Sequence, residues 1–208
     1  MNVSVGIAEA RPVVEIELTG TFEDSAGRIY SPDRHRFDSE LTVTPTDLSS
    51  CAFAMDDVTI GIGFHWQRTE RQVFRGSFRI IKRSAGFTVI NDLPLEEYVT
   101  SVISSEMSAS CPVELLKAHA VISRSWLWFP KANPAPCGAL PASPDREVIR
   151  WYGREAHPDF DVCADDHCQR YQGITKAFSP AVSEAVRATS GEMLLFNGMV
   201  CDARFSKC

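Results

Sequence analysis

Residues 91–126 read NDLPLEEYVTSVISSEMSASCPVELLKAHAVISRSW, and the chain changes character within them. Pro94, followed by Glu96 and Glu97, suits a helix first turn, where a missing N–H costs nothing and acids face the positive end of the dipole. Leu95, Val99, Val102 and Ile103 then fall on one face at helical spacing. A second helix is predicted from near Pro112, with Glu114 in its first turn and Leu115, Ala118, Ile122 and Trp126 along its apolar stripe. Between the two helices stands Glu106, a lone carboxylate where one apolar helix has run out and the next has not begun.

Working outward, residues 1–91 read as β-rich. VSVGI, VVEIELTG, TVTP, VTIGIGF, FRGSFRIIK and GFTVIN carry β-branched and aromatic residues with partial alternation. EDSAGRIYSPD breaks these runs and reads as loop. Downstream, PKANPAPCGALPASPD (130–145) is too rich in Pro, Ala and Gly for a regular element. SPAVSEAVRATSG predicts a short helix with Ser179 as N-cap, Pro180 at its first position and Gly191 past its end. EMLLFNGMVCDARF predicts a hairpin turning at Asn197-Gly198. Strands first, then helices, then mixed elements give an α+β class: a β-rich part over 1–91 and a mixed helical and β region over 92–208.

Composition narrows the partners. The 208 residues are 44% hydrophobic and 23% charged with a formal net charge of −6, ordinary for a globular chain. The negative balance, with no Lys/Arg stripe, argues against nucleic acid or an anionic membrane surface. No run approaches the ~20 apolar residues of a membrane span. The start MNVSVGIAEARPVVEIEL lacks a basic segment followed by an apolar one, so no signal peptide is visible.

Two groups of residues carry chemistry. HPDFDVCADDHCQRY brings His157, Cys163, His167 and Cys168 into twelve residues, and two thiolates with two imidazoles suit a tetrahedral Zn²⁺. The spacing is not that of a zinc finger, and a pair of buried thiols beside two surface histidines is the plainer reading. His167 and Cys168 can both ligate only if the backbone turns sharply there. Four protein ligands make such a metal structural, whereas an open fourth position makes it catalytic. The seven cysteines, an odd number, argue against a complete disulfide framework.

Glu106 is the second. Its plain reading is a capping or first-turn acid, though it lies too early for a capping box with the second helix. Ser104, Ser105, Ser108 and Ser110 around it suit capping or hydrogen bonding. Its chemical reading is a carboxyl shielded between helices, which favours the protonated form and suits proton donation. Arg124, a cation in an otherwise apolar helix, is placed to pair with an acid such as Glu106 or to lie over Trp126 or Trp128. Arg124 and Ser105 are the candidates for orienting a substrate. His119 lies one position off the apolar stripe and reads as a core or supporting histidine. His65, beside Trp66 in a predicted strand, reads as packed.

Together these motifs resemble the stage II sporulation protein D, or amidase-enhancer, family. The resemblance rests on Leu93–Tyr98, the Glu106-Met107 dipeptide, Pro112–Ala118 and Ala120–Trp126, then DVCADDHCQRYQG and AVRATSGEMLLFNG downstream. It implies a lytic transglycosylase that cleaves MurNAc–GlcNAc bonds of peptide-stripped peptidoglycan strands in the cell envelope. Glu106 would be its acid and base, and 1,6-anhydro ends its products. It also implies zinc at His157, Cys163, His167 and Cys168. Members of that family commonly continue into a glycine-rich segment, whereas this sequence stops at DARFSKC, which reads as either an early end or a truncation. The alternative that it leaves open is a non-catalytic wall-binding module that stimulates a partner cell-wall amidase. A zinc hydrolase with an open metal position is a further one.

Overall fold

The computed structural model of the chain describes residues 1–107, 110–132, 157–176 and 179–204. Ten strands come first: β1 (Asn2–Arg11), β2 (Val14–Thr19), β3 (Phe22–Asp24), β4 (Ile29–Tyr30), β5 (Arg34–Phe37), β6 (Leu41–Pro45), β7 (Ala52–Ile60), β8 (Arg68–Phe74), β9 (Ser77–Arg83) and β10 (Gly86–Pro94). Helices α1 (Leu95–Glu106) and α2 (Val113–Ala132) follow. Then come β11 (Val162–Cys163), α3 (Pro180–Ala188) and a hairpin of β12 (Leu195–Phe196) and β13 (Met199–Val200). The class is α+β, as the sequence predicts.

Two sheets make the β-rich part. One has the order β11-β1-β10-β9-β6-β3-β4 and the other β5-β2-β7-β8. Alternation puts Phe22 and Phe78 of the first sheet and Phe37, Phe53 and Phe74 of the second in the core. Phe78 meets Phe22, Phe37 and Phe53 with ring centroids 4.9–6.1 Å apart, so one aromatic cluster binds the sheets face to face. Residue 91 lies inside β10, which passes without a loop into α1. β11, from the region beyond the helices, pairs in parallel with β1 through Val5–Val162 and Gly6–Cys163. This pairing docks the predicted metal segment on the edge of the first sheet.

Pro94 is the N-cap of α1, one position before the predicted first turn, and Leu95, Val99, Val102 and Ile103 are all buried. The predicted stripe of α2 is off by one residue. The buried face is Leu116, His119, Ala120, Ser123, Arg124 and Leu127, whereas Leu115 and Ala118 are exposed. Hydrophobic counting misplaces this face because His119 and Arg124 are buried against polar groups of α1 and of the end of α3. The helix also runs on through Pro130 to Ala132, where a proline in the last turn removes little. Residues 133–145 of the Pro-rich segment lie outside the described residues.

EDSAGRIYSPD contains the short strands β3 and β4 rather than loop alone, and GIGFH, read as strand, is the β7–β8 connection, which places His65 in an exposed turn. The last two predicted elements form as expected. Ser179 takes the N-cap position of α3, without a side-chain capping hydrogen bond, and Pro180 starts the helix; Asn197 and Gly198 take φ of 50° and 79° at the hairpin turn. No described helix is long and apolar enough to cross a membrane.

Candidate functional site

Glu106 is the last residue of α1, and the chain leaves the helix at Met107 with φ −110° and ψ 158°. Its side chain is 15% exposed, shielded from bulk water without being sealed. The backbone N–H of Arg170 donates to Glu106 Oε1 at 3.0 Å. Oε2 is buried and lies 3.3 Å from Nε2 of His119, itself only 3% exposed on the facing side of α2. His119 is thus the partner of Glu106, and neither proximity in sequence nor apolar patterning pointed to it.

Arg170 belongs to a segment that α1 grips along its length. Tyr98 donates its hydroxyl to Gln169 Oε1 at 3.0 Å, and Gln172 N–H donates to Ser101 Oγ at 3.2 Å. Tyr98, Ser101 and Glu106 share the side of the helix that faces this segment. Tyr171, between them, stacks on Tyr98 at 5.5 Å and on Phe74 at 5.9 Å. Desolvation by burial raises the pKa of both phenols above the ordinary tyrosine range.

Immediately before this segment lies the His/Cys cluster. The turn closed by Cys168 N–H to Asp165 O, at 3.0 Å, brings His167 and Cys168 round to the same point. His157 Nε2 is 3.2 Å from Cys168 Sγ, His167 Nδ1 is 3.4 Å from Cys168 Sγ, and Cys163 Sγ is 3.8 Å from His167 Nδ1. The four ligand atoms all lie within 4.8 Å of one another. A tetrahedral ion with Zn–S and Zn–N bonds of ~2.3 and ~2.0 Å requires ligand separations of roughly 3.3–3.8 Å. The donor set is therefore of the right type and nearly the right size to hold a metal ion. Hydrogen bonding from Cys168, with further bonds to the Asp165 backbone and His167, lowers the Cys163 pKa to about 5. Its thiolate, the metal-binding form, is thus favoured at neutral pH. Among the described residues no cysteine forms a disulfide; Cys137 and Cys208 lie outside them.

Arg124 does not meet Glu106. Its guanidinium, 0% exposed, donates to Glu96 Oε2 at 2.6 Å, to Thr189 Oγ1 at 3.1 Å and to the Val186 carbonyl at 2.9 Å. It ties α2 to α1 and to the end of α3 and presents nothing to a ligand. The cation-π alternative over Trp126 or Trp128 is likewise replaced by this ion pair. Ser105 Oγ is buried, without a hydrogen-bond partner among the described residues. Ser104 bonds back to the Thr100 carbonyl, and Ser108 lies outside the described residues.

The chain matches the stage II sporulation protein family over residues 83–196, which take in α1, α2, the cluster and α3. A stage II sporulation protein D of Bacillus subtilis is 30% identical over 129 residues, covering 60% of this chain and 34% of that protein. An uncharacterized protein of Brachyspira hyodysenteriae is 29% identical over 136 residues, 64% of this chain and 30% of that one. The chain spans about a third of the length of these curated relatives.

Proposed function

Because the chain belongs to the stage II sporulation protein family, we propose that it is a lytic transglycosylase of the cell envelope. Its substrate would be the MurNAc–GlcNAc bond of peptide-stripped peptidoglycan strands. The observation that carries this reading is the carboxyl of Glu106, set at a helix end, held by the Arg170 N–H and faced at 3.3 Å by His119.

In this reading the protonated Glu106 gives its proton to the bridging oxygen as the C1–O bond of the MurNAc residue breaks. The Arg170 N–H steadies the carboxylate that results, since a hydrogen bond to a charged acceptor is stronger than one to a neutral acceptor. His119 fixes the other carboxyl oxygen's side. The sugar's own C6 hydroxyl then closes on C1, and its proton returns to Glu106. One bond breaks and one forms, no water is consumed, and the product is a 1,6-anhydro end. A single carboxyl suffices, unlike the two required by hydrolases that activate water or form a glycosyl-enzyme.

Zinc is the metal we assign to His157, Cys163, His167 and Cys168. With all four positions filled by protein it would be structural, fixing the turn from which Arg170 reaches Glu106.

Mass spectrometry of peptide-free glycan strands incubated with wild type and with Glu106→Gln tests the reading. Wild type is expected to leave 1,6-anhydro ends, and the folded variant none. Hydrated reducing ends from wild type, or anhydro ends from the variant, would overturn it. Binding by both proteins with no product from either would favour the wall-binding module that stimulates an amidase.

A further inference from the structure

The β7–β8 connection, residues 61–67, displays apolar side chains where a turn is ordinarily polar. Ile62 is 61% and Phe64 50% exposed. Exposing half of a phenylalanine forgoes part of what its burial would contribute. Yet the turn is tightly built. Phe64 N–H donates to the Gly61 carbonyl and Gln67 N–H to the Phe64 carbonyl, both at 3.0 Å, while Gln67 Oε1 accepts from Gly63 N–H at 2.9 Å. Phe64 stacks on Trp66 with centroids 5.4 Å apart and planes within 17°. Trp66 packs so closely on Gly61, at φ 70°, that a Cβ there would fall 2.3 Å from the indole.

The turn is also tied to the site. Asp165, between cluster residues Cys163 and His167, accepts from the N–H groups of Gly61 and Ile62 at 2.7 and 2.8 Å. The Arg170 guanidinium lies 4.9 Å over the Trp66 ring, held there by Asp166 at 2.8 Å. Arg170 thus grips Glu106 with its backbone and Trp66 with its side chain. Beside the turn, Ile62 and Asp165 line a groove of ≈ 340 Å³ with residues 6–12 of β1 and the turn that follows it.

We propose that Phe64, backed by Trp66 and Arg170, is a stacking subsite that takes the C–H face of one pyranose ring of the glycan strand whose reacting linkage lies at Glu106. The inference rests on the glycan reading above and adds Phe64 and Trp66, which lie outside the family match at 83–196. Phe64 stacks on Trp66, Trp66 meets the Arg170 guanidinium, and the Arg170 N–H holds Glu106, so a polymer can lie across both ends of this relay. The aromatic surface provides contact without losing side-chain freedom on binding, because the Phe64–Trp66 stack is already formed.

Calorimetric titration of a peptide-free MurNAc–GlcNAc tetrasaccharide into Glu106→Gln, the variant expected to bind without turnover, tests it. Adding Phe64→Ala is expected to raise Kd about tenfold, or ~1.4 kcal/mol. Phe64→Tyr, which keeps the ring, should stay within about twofold of the parent. Since Phe64 is half exposed, neither change threatens the fold, and circular dichroism checks this. Equal Kd for Phe64→Ala and its parent would overturn the subsite while leaving the glycan reading intact. No binding by the Glu106→Gln parent would overturn both.

Discussion

Arg124 shows what a single buried charge does here. Among the described residues it is the largest fully buried side chain, and its donors go to Glu96, Thr189 and the Val186 carbonyl. Removing it strands these partners, and breaking such a pair typically costs 3–5 kcal/mol. Glu96 is 36% exposed and water can recover part of its solvation, so Arg124→Ala should destabilise the protein by about 3 kcal/mol, read from urea unfolding. Arg124→Lys should recover little, because one ammonium cannot reproduce a planar fork of donors. A loss under ~1 kcal/mol would refute the structural role. The sequence marked Arg124 as a cation needing a partner, but that partner lies 28 positions away on a neighbouring helix. Glu106 was similarly legible as an acid at a helix end. Its two holders, His119 and Arg170, were not, since helical periodicity reports only residues within a turn or two. Phe64 was hidden by a different route: its apolar neighbours imitate a strand, and only Gly61 and Gly63, both at positive φ, hint at the turn.

At the scale of elements, the cluster turn and α1 act as one device. Cys168 is two residues from Arg170, and Tyr98, Ser101 and Glu106 hold residues 169–172 against the helix. A metal that fixes the turn therefore fixes the hydrogen bond to Glu106. Cys168→Ser should weaken metal affinity by more than the ~10–100-fold that loss of an outer-shell partner costs. Stability and the formation of anhydro ends should fall together when metal is removed by a chelator, with thermal unfolding and product mass spectrometry as the readouts. Turnover lost at unchanged stability would instead indicate a metal at the reacting bond, as in a zinc hydrolase. The four donors were legible as a group because they lie within twelve residues. Their closeness to Glu106 was not, since it depends on β11 pairing with β1 at the far end of the chain. The face of α2 misled for a related reason. Its Arg124 and His119 are buried because α1 and α3 satisfy or face them, a fact that belongs to the packing rather than to the helix.

The whole molecule is joined where Phe74 of β8, Tyr171 and Tyr98 of α1 stack in series. Tyr171 also donates to Asn91 Oδ1 on β10, and Asn91 Nδ2 donates to the carbonyls of Arg75 and Ser77, both at 2.9 Å. Sheet, helix and cluster segment thus meet at two buried phenols, and this joint carries a pH signature. Burial raises both tyrosine pKa values in the folded state, while in the unfolded chain they stay near ~10. Below that pH both states keep the protons, and the contribution to stability is constant. Above it the unfolded chain sheds protons that the folded chain retains, so unfolding is increasingly favoured as pH rises. Each phenol should remove ~1.4 kcal/mol of stability per pH unit beyond ~10. Tyr171→Phe should begin less stable by about 1–3 kcal/mol, because Asn91 Oδ1 loses its donor. Its decline above pH ~10 should nevertheless be shallower by one proton's worth, since only Tyr98 then contributes. Urea unfolding at steps from about pH 8 to 11.5, on wild type and variant, reads both slopes. Equal slopes in the two proteins would mean that Tyr171 does not hold its proton in the folded state, and the joint between the sheet, α1 and the cluster segment would have to be looser than the stacked rings require.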